Sequence, residues 1–494
     1  MTRKIWVITG EYAYPMVKRY ITEYVIPLLE DTEVTVLKIP VRVIGLATSD
    51  TILYYLRGLV DKDKPDIIMV PGLVRGDLER VMEELGVRVI RGPRRLEHLL
   101  LAFMIGVDSL DPERPAEDII SEKLGEIIKE AWNERLRKSI NIGDLKIPLD
   151  PPPFIVALIL DHGLGNNWLK NYILTYKPDI LAFPPREPVE EVLSLVKELR
   201  REYEGRIAAP YQYLDAIVSE GIRVSLVYSV LPEQVDSIEK KYGVVVESYS
   251  DPASALRTVM SEPNRIILDA SLPPDPFRLP DRLKYLEEAN GVAKSAWPTN
   301  IAWGIDADSH GIYGLLLPLL AKVGAGLLFI WELEEKLYWS LQEIRALNTL
   351  FLLSTHLKQC PRDLGVDMLI VKPKMLHRIV FEKPRRIIEA TSSQRITMDP
   401  MGIFKIRVNH REELIEVLYI GRKGRILIRG KTAREIRDTI IREGLLSRLD
   451  HALYIGGELA KAEEALRLGL DYFQDSALLP SRKEKQGLIC RRAS

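Results

Sequence analysis

The sequence predicts an α/β protein: a (β/α)8 barrel of the TIM type, flanked by a small doubly wound N-terminal α/β domain and a C-terminal α+β module. Three observations predict it. Eight short apolar runs recur between residues 154 and 332, most of them separated by enough chain for a helix, as a closed parallel barrel requires. Residues up to about 107 alternate apolar strands with amphipathic helices, the pattern of a parallel sheet with right-handed crossovers. From about residue 365 the order changes to successive strands and then successive helices.

The first domain, 1–148, reads KIWVITG, a helix over 14–30, TEVTVLKIP, a helix over 50–60, DIIMVPG, a helix over 77–85, and VRVIRG. A charged helical stretch, 113–138, leads to the proline cluster LDPPP at 149–153, which marks a boundary. The barrel, 149–362, takes its strands from FIVALILD, DILAFPP, GRIAAPY, GIRVSLVYS, GVVVESY, NRIILDA, GVAKSAWP and GAGLLFIWE. An open doubly wound sheet is the alternative arrangement of the same pieces. The third module, 363–480, contains DMLIVKP, IFKIRVNH, LIEVLYIG and GRILIRG, with GRKGR as a hairpin turn, then helices over 432–442 and 445–470. The basic, polar segment 481–494 is expected to be a disordered tail.

A chain of 494 residues exceeds one ordinary core, and 46% apolar with 28% charged residues excludes disordered and fibrous classes. Lys plus Arg (69) nearly cancels Asp plus Glu (70), so no general basic field holds nucleic acid. Cys360 and Cys490 lack the close spacing of a zinc or redox pair. The longest apolar run, Leu315 to Trp331, is broken by Pro318 and Lys322 and reads as a helix followed by a buried strand rather than a membrane span. The start, MTRKIWVITG, enters a strand directly without a signal-peptide pattern, so a cytoplasmic protein is expected. Scarce Asn and Gln, 10 and 7, with abundant charges of both signs point to a thermophile.

In such a barrel, function concentrates at the carboxyl ends of the strands. There the sequence places Asp161, His162 and Gly163, then Asn166 and Asn167; Tyr211 and Gln212; Tyr228 and Ser229; Glu247 and Tyr249; Asp269 and Ser271; Trp297, Thr299 and Asn300; and Glu332 and Glu334. Carboxylates, amides and aromatics dominate, and Lys and Arg are nearly absent. Such a mouth suits a flat hydrogen-bonding heterocycle better than a phosphate ester, because carboxylates pair with ring N–H and amino groups while aromatics cover the faces. Each of these groups taken singly is as readily a helix cap or loop brace. In GIDADSHGIYGLL, Asp306, Asp308 and His310 alternate, but a capping role for Asp308 or Ser309 is the better reading. With seven scattered histidines and no HxH or HxxxH pair, no catalytic metal is expected. In the first domain, Gly72, Arg75 and Gly76 of GLVRGD, and Arg94 and Arg95 of GPRRLEHL, follow strands and open helices, so they are candidates to hold an anion; plain strand-to-helix turns explain them equally well.

DIIMVPGLVRGDL, RVIRGPRRLEHLLL, TNIAWGIDADSHGIYGLLLPLLAKVGAG, RDLGVDMLIVKPK and ILIRGKTAREIRDTIIREGLLSRLDHALYIGGELAKAEEALRLGLDYFQD occur in this order. Taken together, the chain resembles the archaeal dihydropteroate synthase-like proteins over nearly its whole length, least between about 162 and 265. The resemblance implies a barrel similar to dihydropteroate synthase and to pterin-dependent methyltransferases, with a reduced pterin of the folate or tetrahydromethanopterin type as ligand. It implies that Asp161 and Asp269 pair with the pterin amino group and ring N–H and that Asn300 meets a ring nitrogen; Asn166 and Glu332, from the strand-end reading, are expected to join them in binding substrate. The chain departs from true synthases where APYQYL replaces an aspartate, WPTNIAW replaces a lysine motif and FIWELEEK replaces an Arg-x-His pair. Those basic groups would stabilise departing pyrophosphate. The expected function is therefore pterin binding in one-carbon carrier metabolism, as a transferase in that setting and with a homodimer in view. The alternatives are a non-catalytic assembly protein with a degenerate barrel, and an unrelated barrel enzyme for another small molecule.

Overall fold

The computed structural model describes residues 3–29, 31–161, 166–186, 190–200, 202–270, 272–358, 360–362, 364–366, 368, 386–390 and 398–479. The first strands are β1 (Arg3–Thr9), β2 (Thr32–Lys38), β3 (Ile67–Val70) and β4 (Arg88–Arg91), all parallel in the order β2-β1-β3-β4. This order reverses direction between β1 and β3, which is where open parallel sheets gather ligands. The helices Ser49–Val60 and Leu78–Leu85 begin at Thr48 and Asp77, whose side chains accept backbone N–H groups of the first turn. They bury Ile52, Leu56 and Val81 against Ile8, Ile68 and Val89 of the sheet. The helix expected over 14–30 is regular only for Tyr14–Tyr20 and continues as a wider turn, Ile21–Val25, and a tight one, Ile26–Leu28. Pro27 has no amide hydrogen to continue the α-helical ladder there.

After the helix Ala116–Arg135 the chain forms a feature absent from the sequence expectation, an antiparallel hairpin of β5 (Ser139–Ile142) and β6 (Leu145–Pro148). Gly143, at φ 59°, makes its two-residue turn with Asp144. Ile142, Leu145 and Ile147 pack with Ile155, Leu226, Val245, Ile267 and Leu327 of the barrel interior, so the hairpin floors the barrel. A Cβ on Gly326 would lie 2.1 Å from the Pro148 carbonyl oxygen, which explains glycine at that close approach.

The barrel is closed by β7 (Ile155–Ile159), β8 (Ile180–Ala182), β9 (Arg206–Pro210), β10 (Leu226–Val230), β11 (Gly243–Glu247), β12 (Ile266–Asp269), β13 (Lys294–Ala296) and β14 (Ala325–Ile330), each parallel to its neighbours. The eight predicted runs all supply strands, and the open-sheet alternative is excluded by the pairing of β14 with β7. Alternate residues face inward, as the buried series Ile155-Ala157-Ile159 and Leu327-Phe329 show.

The C-terminal module is an antiparallel sheet of β15 (Gly402–Asn409), β16 (Leu414–Gly421) and β17 (Gly424–Gly430), covered by the helices Ala433–Arg442 and Leu449–Leu468. Thr432 and Glu435 form a reciprocal capping box at the start of the first of these. The strand expected at DMLIVKP, except Met368, and the segment 481–494 lie outside the described residues. By contacts the chain divides into two compact units, Met1–Asp161 with Tyr176–Lys374, and His162–Thr175 with Met375–Ser494.

Candidate site at the barrel mouth

Asp269 closes β12 two residues beyond inward-facing Ile267, so alternation turns its carboxylate into the barrel. There its Oδ1 accepts hydrogen bonds from Ser295 Oγ (2.9 Å) and Trp297 Nε1 (3.1 Å). The Trp297 ring stacks on Phe329 at 4.7 Å and 11°, and Tyr228 leans against both at 5.9 and 5.3 Å. Burial, and next the negative charge of Asp161, raise the Tyr228 hydroxyl above its ordinary range. Asp161 and Asp269 thus flank one aromatic cluster, although they are distant in sequence. Glu247 stands beside Asp269 in register, and its Oε1 accepts from Ser250 Oγ at 3.3 Å.

Two arginines reach this region that the strand-end reading did not anticipate. Arg186 is ion-paired with Asp161. Arg282, on the helix Leu279–Glu288, donates to the Ala270 carbonyl oxygen through Nε (3.0 Å) and to Ser248 Oγ at 2.8 Å. Ser248 in turn donates to the Asp269 carbonyl oxygen at 2.5 Å, so the arginine braces the backbone that carries the carboxylate. Arg186 follows its strand in PPREP and was legible as a strand-end residue, whereas Arg282 arrives from a helix and carries no such mark.

The remaining predicted residues separate. Asn300 donates from Nδ2 to the Leu272 carbonyl oxygen (3.1 Å), tying the loop after β12 to the one after β13. Thr299 Oγ1 accepts from the Trp331 amide at 3.3 Å. The Trp331 indole N–H is buried and has no acceptor among the described residues. Glu332 lies one residue past Trp331 and turns outward, where its Oε1 accepts from the Leu341 amide (2.8 Å) at the start of the helix Ser340–Leu357. At 1% exposure it is a helix-start acceptor behind the barrel wall. Asn166 opens the helix Asn166–Tyr176 and belongs to the second contact unit. Gln212 donates to the Pro185 carbonyl oxygen, Tyr211 shares a hydrogen bond with Ser237, and Glu334 accepts from Trp303 Nε1. Ser229 has φ 56° at an irregularity between β10 and β11. His162, Gly163 and Ser271 lie outside the described residues.

In GIDADSHGIYG, Asp308 sits at the N-cap position of the helix Ser309–Lys322, but its side chain makes no capping bond. Ser309 instead donates to Glu343 Oε2 at 2.6 Å, and His310 Nδ1 lies 3.8 Å from Glu343 Oε1. Among the described residues, no three His, Cys, Asp or Glu side chains converge as a metal site would need. No helix among them is long and apolar enough to cross a membrane.

In the N-terminal domain the amides expected to hold an anion are already bonded. Gly72 N donates to the Pro93 carbonyl oxygen, Arg75 N to Ala47, and Asp77 caps the following helix. Gly76, at φ 102°, serves packing, since a Cβ there would meet Ser49 Oγ at 2.3 Å. The amides of Arg94 and Arg95 both donate to Glu117 Oε1, at 2.5 and 3.1 Å.

Fold and mouth define a (β/α)8 barrel protein whose strand ends gather carboxylates over an aromatic floor. Residues 398–475, the C-terminal module, match the family described as PterinBD-DUF4346, and residues 3–94, the N-terminal sheet, match a family of unknown function, DUF6513. Over 524 residues the chain is 27% identical to an uncharacterized protein of Methanocaldococcus jannaschii, covering 96% of this chain and 98% of that one. Among solved structures it is similar to a truncated 3-deoxy-D-arabino-heptulosonate 7-phosphate synthase from Thermotoga maritima (13% identity, 39% of this chain and 79% of that one, TM-score 0.29). It is similar also to an aldolase from Escherichia coli K12 (12% identity, 49% of this chain and 96% of that one, TM-score 0.28).

Proposed function

We propose that the barrel mouth binds a reduced pterin of the folate or tetrahydromethanopterin type, and that the protein serves archaeal one-carbon carrier metabolism as a diverged relative of dihydropteroate synthase. The observation that carries this reading is Asp269, held at the inner end of its strand by Ser295 and Trp297 beside stacked aromatic rings. A pterin offers an amino group and ring N–H on one edge and flat faces on either side. A carboxylate and indole rings are complementary to both features. In this reading Asp269 and Glu247 accept from the heterocycle edge, Asp161 with Arg186 bounds the opposite side, and Asn300 fixes the loop over the ring. The description of the family matched by residues 398–475 supports a pterin ligand, and the full-length archaeal relative supports the setting.

The residues present fit pterin binding better than synthase chemistry, because the lysine and Arg-x-His positions that would clamp pyrophosphate are occupied by WPTNIAW and FIWELEEK. A group transfer on the pterin that needs no such clamp is compatible with the mouth. Calorimetric titration of the full chain with dihydropterin and tetrahydrofolate tests the assignment. Asp269→Ala should weaken binding about tenfold or more, since it removes an ionised acceptor, and Asn300→Ala less. Unchanged affinity in both variants would remove the reading.

A second reading, a non-catalytic assembly protein, draws on the internal partners of Asp161 and Asn300. It predicts that the protein purified from its own host carries stoichiometric partner protein and no pterin fluorescence.

A further inference from the structure

We propose that the carboxyl-end edge of the N-terminal sheet is a second ligand site, separate from the barrel mouth, which binds a small phosphate-bearing molecule through Arg75, Arg94 and Arg95 and holds Glu117 in place of that phosphate when empty.

The edge is built from loops that touch in sequence across the sheet. Tyr12 N donates to the Arg42 carbonyl oxygen at 3.2 Å, joining the loops after β1 and β2. A Cβ on Gly45 would lie 3.3 Å from Leu73, joining the loops after β2 and β3. Gly72 N donates to the Pro93 carbonyl oxygen at 3.1 Å, joining the loops after β3 and β4. Beneath the last pair, the buried Arg91 guanidinium donates to the carbonyl oxygens of Gly76 (2.9 Å), Pro112 (3.0 Å) and Val74 (2.5 Å) and, among the described residues, to no carboxylate. The edge is therefore fixed by the fold, with Arg75 after β3 and Arg94 and Arg95 after β4, to one side of the reversal between β1 and β3.

Among the described side chains its charge is unbalanced. Arg3, Arg57, Arg80, Arg88 and Arg114 of the same domain each have a carboxylate partner. The exposed side chains of Arg75, Arg94 and Arg95 have none among the described residues. Asp77 is committed to the helix amides that it caps, and Asp111 to the amides of Glu113 and Arg114. Among the described side chains Glu117 is the carboxylate that meets this edge, at the Arg94 and Arg95 amides, and its Oε1 lies 3.4 Å from His98 Nδ1 as well.

Glu117 shows what the edge selects. Successive amides at Arg94 and Arg95 converge on its Oε1, a pair of donors aimed at one anionic oxygen. Its other oxygen, Oε2, is buried with no donor among the described residues. A partly buried carboxylate with one oxygen lacking a donor regains hydration when it swings out, and a phosphate carries more charge and more acceptor oxygens with which to meet both amides and the arginine side chains. A long nucleic acid is a poor occupant, because the chain's net charge of −1 supplies no surrounding basic field.

The test is calorimetric titration of the full chain with tripolyphosphate and inorganic phosphate at low and moderate salt. One saturable site is expected. Arg94→Gln and Arg95→Gln should each weaken it about tenfold. Arg75→Gln, on a different loop and clear of Glu117, should do likewise, which keeps the test alive if the other two disturb the 92–98 loop. Glu117→Gln should bind several-fold more tightly because the internal competitor loses its charge. No saturable binding at millimolar phosphate, wild-type affinity in all three arginine variants, or tighter binding of a single-stranded oligonucleotide than of tripolyphosphate would overturn the proposal; unchanged affinity in Glu117→Gln would overturn the role of Glu117.

Discussion

Replacing Glu343 by Gln should change how the protein's stability depends on pH. The Glu343 side chain is 14% exposed and lies behind the barrel wall, between the starts of the helices Ser309–Lys322 and Ser340–Leu357. Burial pushes its carboxyl up from 4.5 to about 7; the Ser309 hydroxyl partly offsets this, and the negative charges of Glu332 and Asp308 add to it. His310 Nδ1 lies 3.8 Å from its Oε1. Because the folded value lies above the unfolded one, the folded state keeps a proton that the unfolded state releases. Stability is fully present below about 4.5 and is lost as pH rises through about 7. At 1.36 kcal/mol per pKa unit, the loss is about 3 kcal/mol. Gln keeps the size and the acceptor for Ser309 but cannot ionise. In urea titrations at pH 4, 5, 6, 7 and 8, the variant should match the wild type at pH 4 and surpass it progressively, by up to about 3 kcal/mol at pH 8. Comparing the two proteins at each pH cancels the other titrating groups. A gap that stays constant from pH 5 to 8 would refute the reasoning.

Other consequences follow from the same geometry. Asp399 accepts from the amides of Met401, Ser447 and Arg448 and from the Ser447 hydroxyl; burial alone would raise its carboxyl, but these donors hold it below the usual range. Asp399→Ala should cost the C-terminal module about 3 kcal/mol by orphaning those donors, and the wild-type advantage should vanish only in strong acid, as pH falls below the ordinary carboxylate range; amide exchange across 398–475 measures it. Burial pushes the Lys294 ammonium, bonded to the Val323 carbonyl oxygen at 2.7 Å, down to about 8. Lys294→Met should therefore be neutral or stabilising by about 1 kcal/mol at pH 7, the gap closing toward pH 10, and a lower melting temperature for the variant at pH 7 contradicts this. Gly76→Ala should lower the stability of the N-terminal domain by about 2 kcal/mol or more, because φ is 102° and a Cβ would strike Ser49; an unchanged melting profile would show that the loop yields.

The site was legible to different depths. Asp269 and Trp297 could be placed at the mouth because each ends a strand, and alternation along a barrel strand decides which side a residue faces. The same rule, applied one residue further, turns Glu332 away from the mouth, and here the acidic character at a strand end was misleading. Arg282 escaped because a helix delivers it, and no local pattern says which turn of a helix will lean over a strand end. The hairpin at 139–148 did carry a signal, Gly-Asp between two alternating runs, but the charged helix before it and the prolines after it masked its brevity. Glu117 on the Arg94 and Arg95 amides could not be foreseen, since the partners are separated by a helix and two loops.

By itself the order of residues determined the number and type of barrel strands, the parallel N-terminal sheet and the antiparallel C-terminal one. Those features depend on short-range periodicity and on turn chemistry, which each segment carries internally. Only the tertiary structure decided which polar groups meet. Whether a carboxylate binds a heterocycle, caps a helix or neutralises an amide pair depends on what other segments bring within hydrogen-bonding distance, and closure of the barrel alone sets that distance for Asp161, Tyr228, Trp297 and Asp269.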